Sequence, residues 1–357
     1  MITNQQIIDT LYFYGCPCEV YQTINGANFK DYYLLPINGT TIKKLQSRVA
    51  DFSLAIGRNV SIEIEGGALI FRVASENRSF FDFLSYLGNL EKRAGNVSIG
   101  ITPSGCYLSD NLFTMPHLLV AGATGSGKSV FMHNAIISLS NGGGVCFRLI
   151  DLKRVELSIY NGCPFMVSDC ITDATQAENA LQFEVLEMQN RYKLMEREHV
   201  NHYTQLKKPI LARVIVIDEL ADLMLNRDTR KSVENSIVKI AQLGRAAGCH
   251  LIVATQRPSA DVVTGLIKAN IPARVAFTTA SAIDSRVIGV KGADALTGRG
   301  DGIYLATGKD PQRFQGLYFD SYAPADFVAQ VKQNARSKPK PQPKPKTRRG
   351  FFSGLFN

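Results

Sequence analysis

Residues Gly122 to Ser129 read Gly-Ala-Thr-Gly-Ser-Gly-Lys-Ser and fit the spacing G-x-x-x-x-G-K-[ST], whose chemistry is phosphate binding. Glycines let backbone N–H groups wrap anionic oxygens at the positive end of the following helix. The expected binding segment is Gly122, Ala123, Thr124, Gly125, Ser126, Gly127, Lys128, Ser129 and Val130, with Lys128 reaching the β and γ phosphates and Ser129 meeting Mg²⁺. A chance glycine-rich loop is the competing account. An apolar strand before the loop and the helical run VFMHNAIISL after it weigh against that account.

A second chemical signal lies at Asp218 and Glu219, which follow the apolar run Val214 to Ile217 directly. Two carboxylates at a strand's end suit nucleoside triphosphate hydrolysis, with Asp218 as the Mg²⁺ partner and Glu219 as the general base polarising water. An apolar strand ending in acid is often only a strand meeting solvent, but the phosphate loop favours catalysis. Gln256 ends the run HLIVAT, where an amide could sense the γ phosphate or orient water, or simply face solvent. Arg245, in QLGRAAG, sits at a helix end. It could complete a neighbouring subunit's site as an arginine finger or be an ordinary solvated arginine. The implied cofactors are ATP and Mg²⁺.

These residues need strands and helices to hold them. From about 113 to 325 short apolar runs alternate with helical ones: HLLVAG (117–122), VCFRLID (145–151), RVIVID (213–218), HLIVATQ (250–256) and RVAFTT (274–279). That alternation is the signature of a parallel sheet covered on both faces, with ligands at the carboxyl ends of the strands. Residues 1–112 read instead as a small α+β module. Its strand-like runs CEVYQTI, FKDYYLLPI, VSIEIE and ALIFRVA are broken at Asn-Gly and Gly66-Gly67 turns. One helix, capped at Thr40 or Thr41, carries Ile42, Leu45, Val49 and Phe52 at helical spacing. Residues 326–357 read as a Lys/Pro-rich basic tail that favours extended polyproline II and ends in FFSGLFN. Residues 350–357 suggest a peptide docking on a protein groove, with an anionic membrane surface, DNA or no partner as alternatives.

The chain has 357 residues, 45% of them apolar, enough for two or three domains. No apolar run approaches the roughly 18 residues of a membrane helix, and MITNQQIIDT has no basic leader. An integral membrane protein and a secreted one are both disfavoured, and a cytoplasmic location is expected. Seven cysteines without a C-x-x-C pair suit reduced thiols. Residues 327–357 hold eight Lys or Arg and no acid, so of the formal +9 only +1 remains for the rest. Affinity for nucleic acid in the folded part must therefore come from local arrangement.

The stretches MPHLLVAGATGSGKSV, IDLKRVELSIY, EVLEMQNRYKLM, VIVIDELADLM, GRAAGCHLIVATQRPSADVVTGLIKANIPARVAF and IDSRVIG closely resemble the motor of the FtsK/SpoIIIE family of double-stranded DNA translocases. The resemblance spans roughly 115–320, and GTTIKKLQSRVADFSLAIG is similar, more weakly, to that family's α domain. It implies an α/β, RecA-like P-loop ATPase domain with a parallel-rich central sheet at 113–325, preceded by the α domain at 1–112. It also implies a homohexameric ring with duplex DNA in its channel and ATP between subunits. Carried over, Lys128 and Ser129 match the Walker A pair, Asp218 and Glu219 the Walker B pair, Gln256 the sensor and Arg245 the trans arginine finger. Arg257, Lys268 and Arg286 fall where family members present basic loops to the DNA backbone, while Ala282 stands where relatives usually carry lysine. A translocase holds phosphates without reading bases, so a few cations per subunit suffice.

Chromosomal members add a membrane domain, a linker and a winged-helix domain, none of which is expected here. The function expected is ATP-driven movement of duplex DNA for plasmid, phage or chromosomal transfer, segregation or packaging. An ATPase motor of a protein-secretion or other export system is the alternative.

Overall fold

Thr3 opens the chain's first helix, because its Oγ1 accepts the Gln6 N–H while the Gln6 side chain accepts the Thr3 N–H. The computed structural model describes residues 2–26, 28–75, 80–87, 92–319 and 323–337. After helix α1 (Asn4–Phe13) come β1 (Cys18–Asn25), β2 (Phe29–Pro36), α2 (Ile42–Ser47), α3 (Val49–Ile56), β3 (Val60–Glu65) and β4 (Ala68–Ala74). The strands form an antiparallel sheet in the order β1-β2-β4-β3. The Gly66-Gly67 turn closes the β3–β4 hairpin, with Glu65 opposite Ala68. Leu45, Phe52, Tyr32 and Phe71 are buried in the core between helices and sheet. The single helix expected from Thr40 or Thr41 is instead two, since Arg48 leaves helical geometry at φ −105°, ψ 6°.

The second sheet is nine-stranded. It is reached through α4 (Phe83–Leu87) and takes in β5 (Asn96–Ile101), β6 (Tyr107–Asn111), β7 (His117–Ala121), β8 (Val145–Ile150), β9 (Ala212–Ile217), β10 (Cys249–Thr255), β11 (Ala273–Phe277), β12 (Asp301–Leu305) and β13 (Gln312–Gln315). The helices are α5 (Lys128–Gly142), α6 (Ala174–Arg197), α7 (Leu220–Met224), α8 (Arg230–Ala247), α9 (Gly265–Asn270), α10 (Ala282–Ile288) and α11 (Ala323–Ser337). The order is β6-β5-β13-β12-β11-β7-β10-β9-β8. The five strands expected from sequence, β11, β7, β10, β9 and β8, are consecutive and parallel. Alternation sorts the side chains to two faces: Leu118, Val120, Val214 and Val216 pack with Phe131 and Ile136 of α5. Leu119, Ala121, Ile215 and Ile217 pack with Leu181 of α6 and Ile237 of α8. Helices thus cover both faces of an α/β sheet.

Two expected boundaries move. β5 and β6 fall within the segment 1–112 assigned to the first module, yet they pair with each other and, through Ile101 opposite Gln315, with β13 of the second sheet. β12 pairs antiparallel with β11 and β13 antiparallel with β12, extending the same edge. Their apolar residues Val97, Ile99, Ile101 and Phe314 are needed in the core against α5. The start of the tail also shifts, because residues 323–337 form α11, whose Val328 is buried beside the turn Leu157–Tyr160. The Lys/Pro run from residue 338 and the expected docking peptide 350–357 lie outside the described residues. Among the described residues, no helix is long and apolar enough to cross a membrane.

Candidate nucleotide-binding site

The turn from β7 into α5 requires glycine at Gly127. It has φ +114°, and a Cβ there would come within 2.8 Å of the Gly300 backbone. The loop thereby lies against the β12 side of the sheet, and the Gly300 N–H donates to the Ser126 carbonyl at 2.7 Å. Ser126 Oγ is buried beneath the loop beside Gly122. A cleft of about 590 Å³ opens here, lined by Ala123, Thr124, Gly125, Gly127, Lys128 and Ser129 of the loop and by Gln256 and Glu156 facing it.

The carboxylates arrive from β9, whose six residues are all buried. Lys128 Nζ donates to the Asp218 carbonyl oxygen and to Asp218 Oδ1, each at 3.0 Å, with both residues only 3% exposed. Burial pushes the Asp218 carboxyl above its usual range, opposed by the Lys128 charge. Glu219 caps α7 and accepts from three donors, Thr255 Oγ1 at 2.7 Å, the Ala221 N–H at 3.2 Å and the Gln256 N–H at 3.0 Å to Oε2, while Lys153 Nζ forms a longer ion pair with it at 3.9 Å. Gln256 Oε1 in turn accepts from Thr124 Oγ1 at 3.0 Å, joining the tip of β10 to the phosphate loop. The five residues Lys128, Ser129, Asp218, Glu219 and Gln256 are therefore brought together by the carboxyl ends of neighbouring parallel strands.

Three participants escape the sequence reading. Thr255, the last residue of β10, reads only as a β-branched strand residue. Glu156 lies on the loop after β8. It receives a hydrogen bond from His133, which with burial opposing and Ser129 assisting holds its carboxyl below the usual range. Asp151 at the end of β8 carries the strand-end signal that singled out Asp218. Its two oxygens accept the N–H groups of Lys153, Arg154, Glu156 and Leu157, folding that loop so that Glu156 faces Ser129. Ser129, Asp218 and Glu156 offer the hard oxygen donors that Mg²⁺ takes together with substrate phosphates, and Lys128 suits the phosphates themselves.

Arg245 is not at this cleft. It is exposed in the last turn of α8, at the end of the sheet where β10 begins rather than where it ends. At 3.3 Å per residue, seven-residue β10 puts it roughly 20 Å from Gln256. Arg257 follows Gln256 and is exposed, Lys268 is half-buried on α9, and Arg286 is exposed on α10, its Nε donating to the Ala282 carbonyl at 3.3 Å.

The FtsK/SpoIIIE family sequence model matches residues 90–213 and 204–260. This chain belongs to the FtsK/SpoIIIE family. It is 38% identical to the DNA translocase FtsK of Listeria monocytogenes over 92% of its own length and 47% of that protein. It is 37% identical to the DNA translocase FtsK of Lactiplantibacillus plantarum over 92% and 44%. The chain thus spans about half the length of these curated relatives. Among solved structures, the pCW3 conjugation coupling protein TcpA with ATPγS superposes with a TM-score of 0.66 at 24% identity, over 92% of this chain and 99% of that one. The cytoplasmic domain of the Thermomonospora curvata type VII secretion ATPase EccC gives 0.61 at 24% identity, over 71% and 34%. Both likenesses are of fold, and the FtsK/SpoIIIE chain described here has the RecA-like P-loop ATPase architecture.

Proposed function

We propose that this chain is the motor of an ATP-driven double-stranded DNA translocase, hydrolysing ATP with Mg²⁺ as a homohexameric ring. The carrying observation is that Lys128, Ser129 and Gln256 line one cleft at the phosphate loop, with Asp218 bonded to Lys128 and Glu219 to the Gln256 N–H directly behind them. The names of its FtsK relatives support DNA as the cargo.

In this reading Lys128 exchanges its contact with Asp218 for the β and γ phosphates, and Ser129 and Asp218 hold the cation. Mg²⁺ supplies charge neutralisation along the phosphates when bound. Glu219, fixed by Thr255 and the Gln256 and Ala221 amides, takes the proton of the attacking water. Gln256 senses the γ phosphate and passes its state to Thr124. Arg245, remote from its own cleft, completes that of the next subunit. Arg257, Lys268 and Arg286 hold the DNA backbone.

The test is steady-state ATP hydrolysis by the purified chain, with and without long linear duplex DNA, at two salt concentrations. Stimulation that needs duplex length and weakens with salt is expected. Hydrolysis indifferent to duplex DNA at both salts would move the reading to the motor of a protein-export system.

A further inference from the structure

Helix α9 ends on a hydrogen bond that its own backbone cannot make. Within a helix the Lys268 carbonyl would accept the N–H four residues on, but that residue is Pro272, which has none. Arg274, two residues later on β11, supplies the missing donor: its Nη2 donates to the Lys268 carbonyl at 3.1 Å. Alternation along β11 places Arg274 on the side of Ala276, the face that α9 and α10 cover through Ile267 and Ile288. The other arm of the same guanidinium lies at the end of α10. Gly289, with φ +76°, closes that helix, and a Cβ there would collide with Arg274 Nη1. Nη1 also donates to the Gly289 carbonyl in a long contact of 3.5 Å. The charge of Arg274 is half-buried and, among the described residues, faces these two carbonyls rather than a carboxylate. Helix-end carbonyls favour such a cation. One planar head thus reaches two helix ends at once. The first belongs to Lys268 itself, and Arg286 lies three residues before the second.

We infer that Arg274 is a positioning residue that clamps the ends of α9 and α10 together, so that Lys268 and Arg286 meet the DNA backbone as a pair. The inference rests on the DNA reading above and adds the residue that holds two of its cations in place. A phosphate contact depends on its cation being held where the backbone passes. Helices of six and seven residues are too short to be held by their own hydrogen bonds, so tertiary contacts must fix them. Arg274 does so from the sheet, without touching DNA. Its strand also pairs with β7, Arg274 lying opposite Leu119, and just past β11 the Thr278 carbonyl accepts the Ala123 N–H at 2.8 Å. The strand that carries the clamp is therefore bonded to the phosphate loop as well.

Equilibrium binding of a fluorescently labelled duplex to the full chain, read by anisotropy over a series of salt concentrations, tests the clamp. Arg274→Met keeps an unbranched apolar stem and removes both donors. It is expected to weaken duplex binding about 3- to 30-fold and to make its salt dependence shallower, as the loss of phosphate contacts does. In a chain that already carries Lys268→Ala and Arg286→Ala, the same substitution is expected to change nothing further, because the cations it positions are gone. A loss of equal size in both backgrounds overturns the inference, since it marks Arg274 as an independent DNA contact or a general support of the fold. Should Arg274→Met fail to fold, Arg274→Lys keeps the charge, but its single ammonium cannot serve both helix ends, and weaker binding than the parent is expected. Parent-like binding by either variant overturns the clamp. A parent chain that binds no duplex at any salt overturns the DNA reading itself.

Discussion

Glu219 illustrates how much of a catalytic role depends on its neighbours. The residue is only 6% exposed, yet Thr255 Oγ1 and two backbone amides satisfy its carboxylate, and its one cation, Lys153, stays at 3.9 Å, outside hydrogen-bond distance. Glu219→Gln should retain ATP binding and lose turnover by about 100-fold or more, measured as single-turnover hydrolysis beside equilibrium binding. Normal hydrolysis in that variant would remove Glu219 as the base. Thr255→Val removes one oriented donor while keeping the side chain's shape. It should lower kcat by roughly tenfold with KM unchanged, whereas a change confined to KM would contradict a positioning role. Lys128, Ser129, Asp218, Glu219 and Gln256 were legible in the sequence because each follows an apolar strand or opens a helix. Thr255 and Glu156 were not, since a threonine ending a strand and an acid in a loop carry no spacing signal.

At the scale of elements, β13 links the two sheets through charge. Arg313 donates to both oxygens of buried Asp301, at 2.9 and 2.8 Å, and across to Glu63 of β3 at 2.9 Å, while Arg72 of β4 pairs with Glu63 and with Asp31 of β2. Burial pushes the Glu63 carboxyl up, but the two arginines prevail and hold it below its usual range. Arg313→Ala leaves Asp301, 1% exposed, without its cation and should cost about 3–5 kcal/mol in denaturant unfolding. β7 opens with buried His117 and β10 carries buried His250 as its second residue, and burial lowers His117 to about 3 and His250 to about 4 from an ordinary 6.5. Below pH 6.5 the unfolded chain therefore takes up protons that the folded one refuses until about 4 and 3. Stability should fall from pH 7 to pH 5 by on the order of 3 kcal/mol. A denaturation midpoint unchanged over that interval would show that the pair does not control acid stability. The five parallel strands were legible as continuous apolar runs buried on both faces. β5, β6, β12 and β13 were not placed, because their membership in the sheet depends on pairing across long sequence separations.

For the whole molecule, the body of residues 1–326 carries a formal charge of only +1, so any grip on DNA must be local and multiplied by copies of the chain. Arg257→Ala and Lys268→Ala should reduce DNA stimulation of hydrolysis to the same extent on duplexes of unrelated sequence and flatten its salt dependence. A loss restricted to one sequence would refute backbone gripping. The remoteness of Arg245 from its own cleft adds a geometric demand: within one chain it cannot reach the phosphates, so its proposed role requires a second copy. By itself the sequence determined the phosphate loop, the strand-end acids and the alternating α/β order, because these depend on neighbouring residues and on the regular geometry of strand, turn and helix. Only the tertiary structure decided that Thr255 and two amides hold Glu219, that Asp151 folds Glu156 toward Ser129, and that β5 and β6 belong to the second sheet. Each of these joins residues far apart along the chain, and only the packing of buried strands and helices brings such residues within hydrogen-bonding distance.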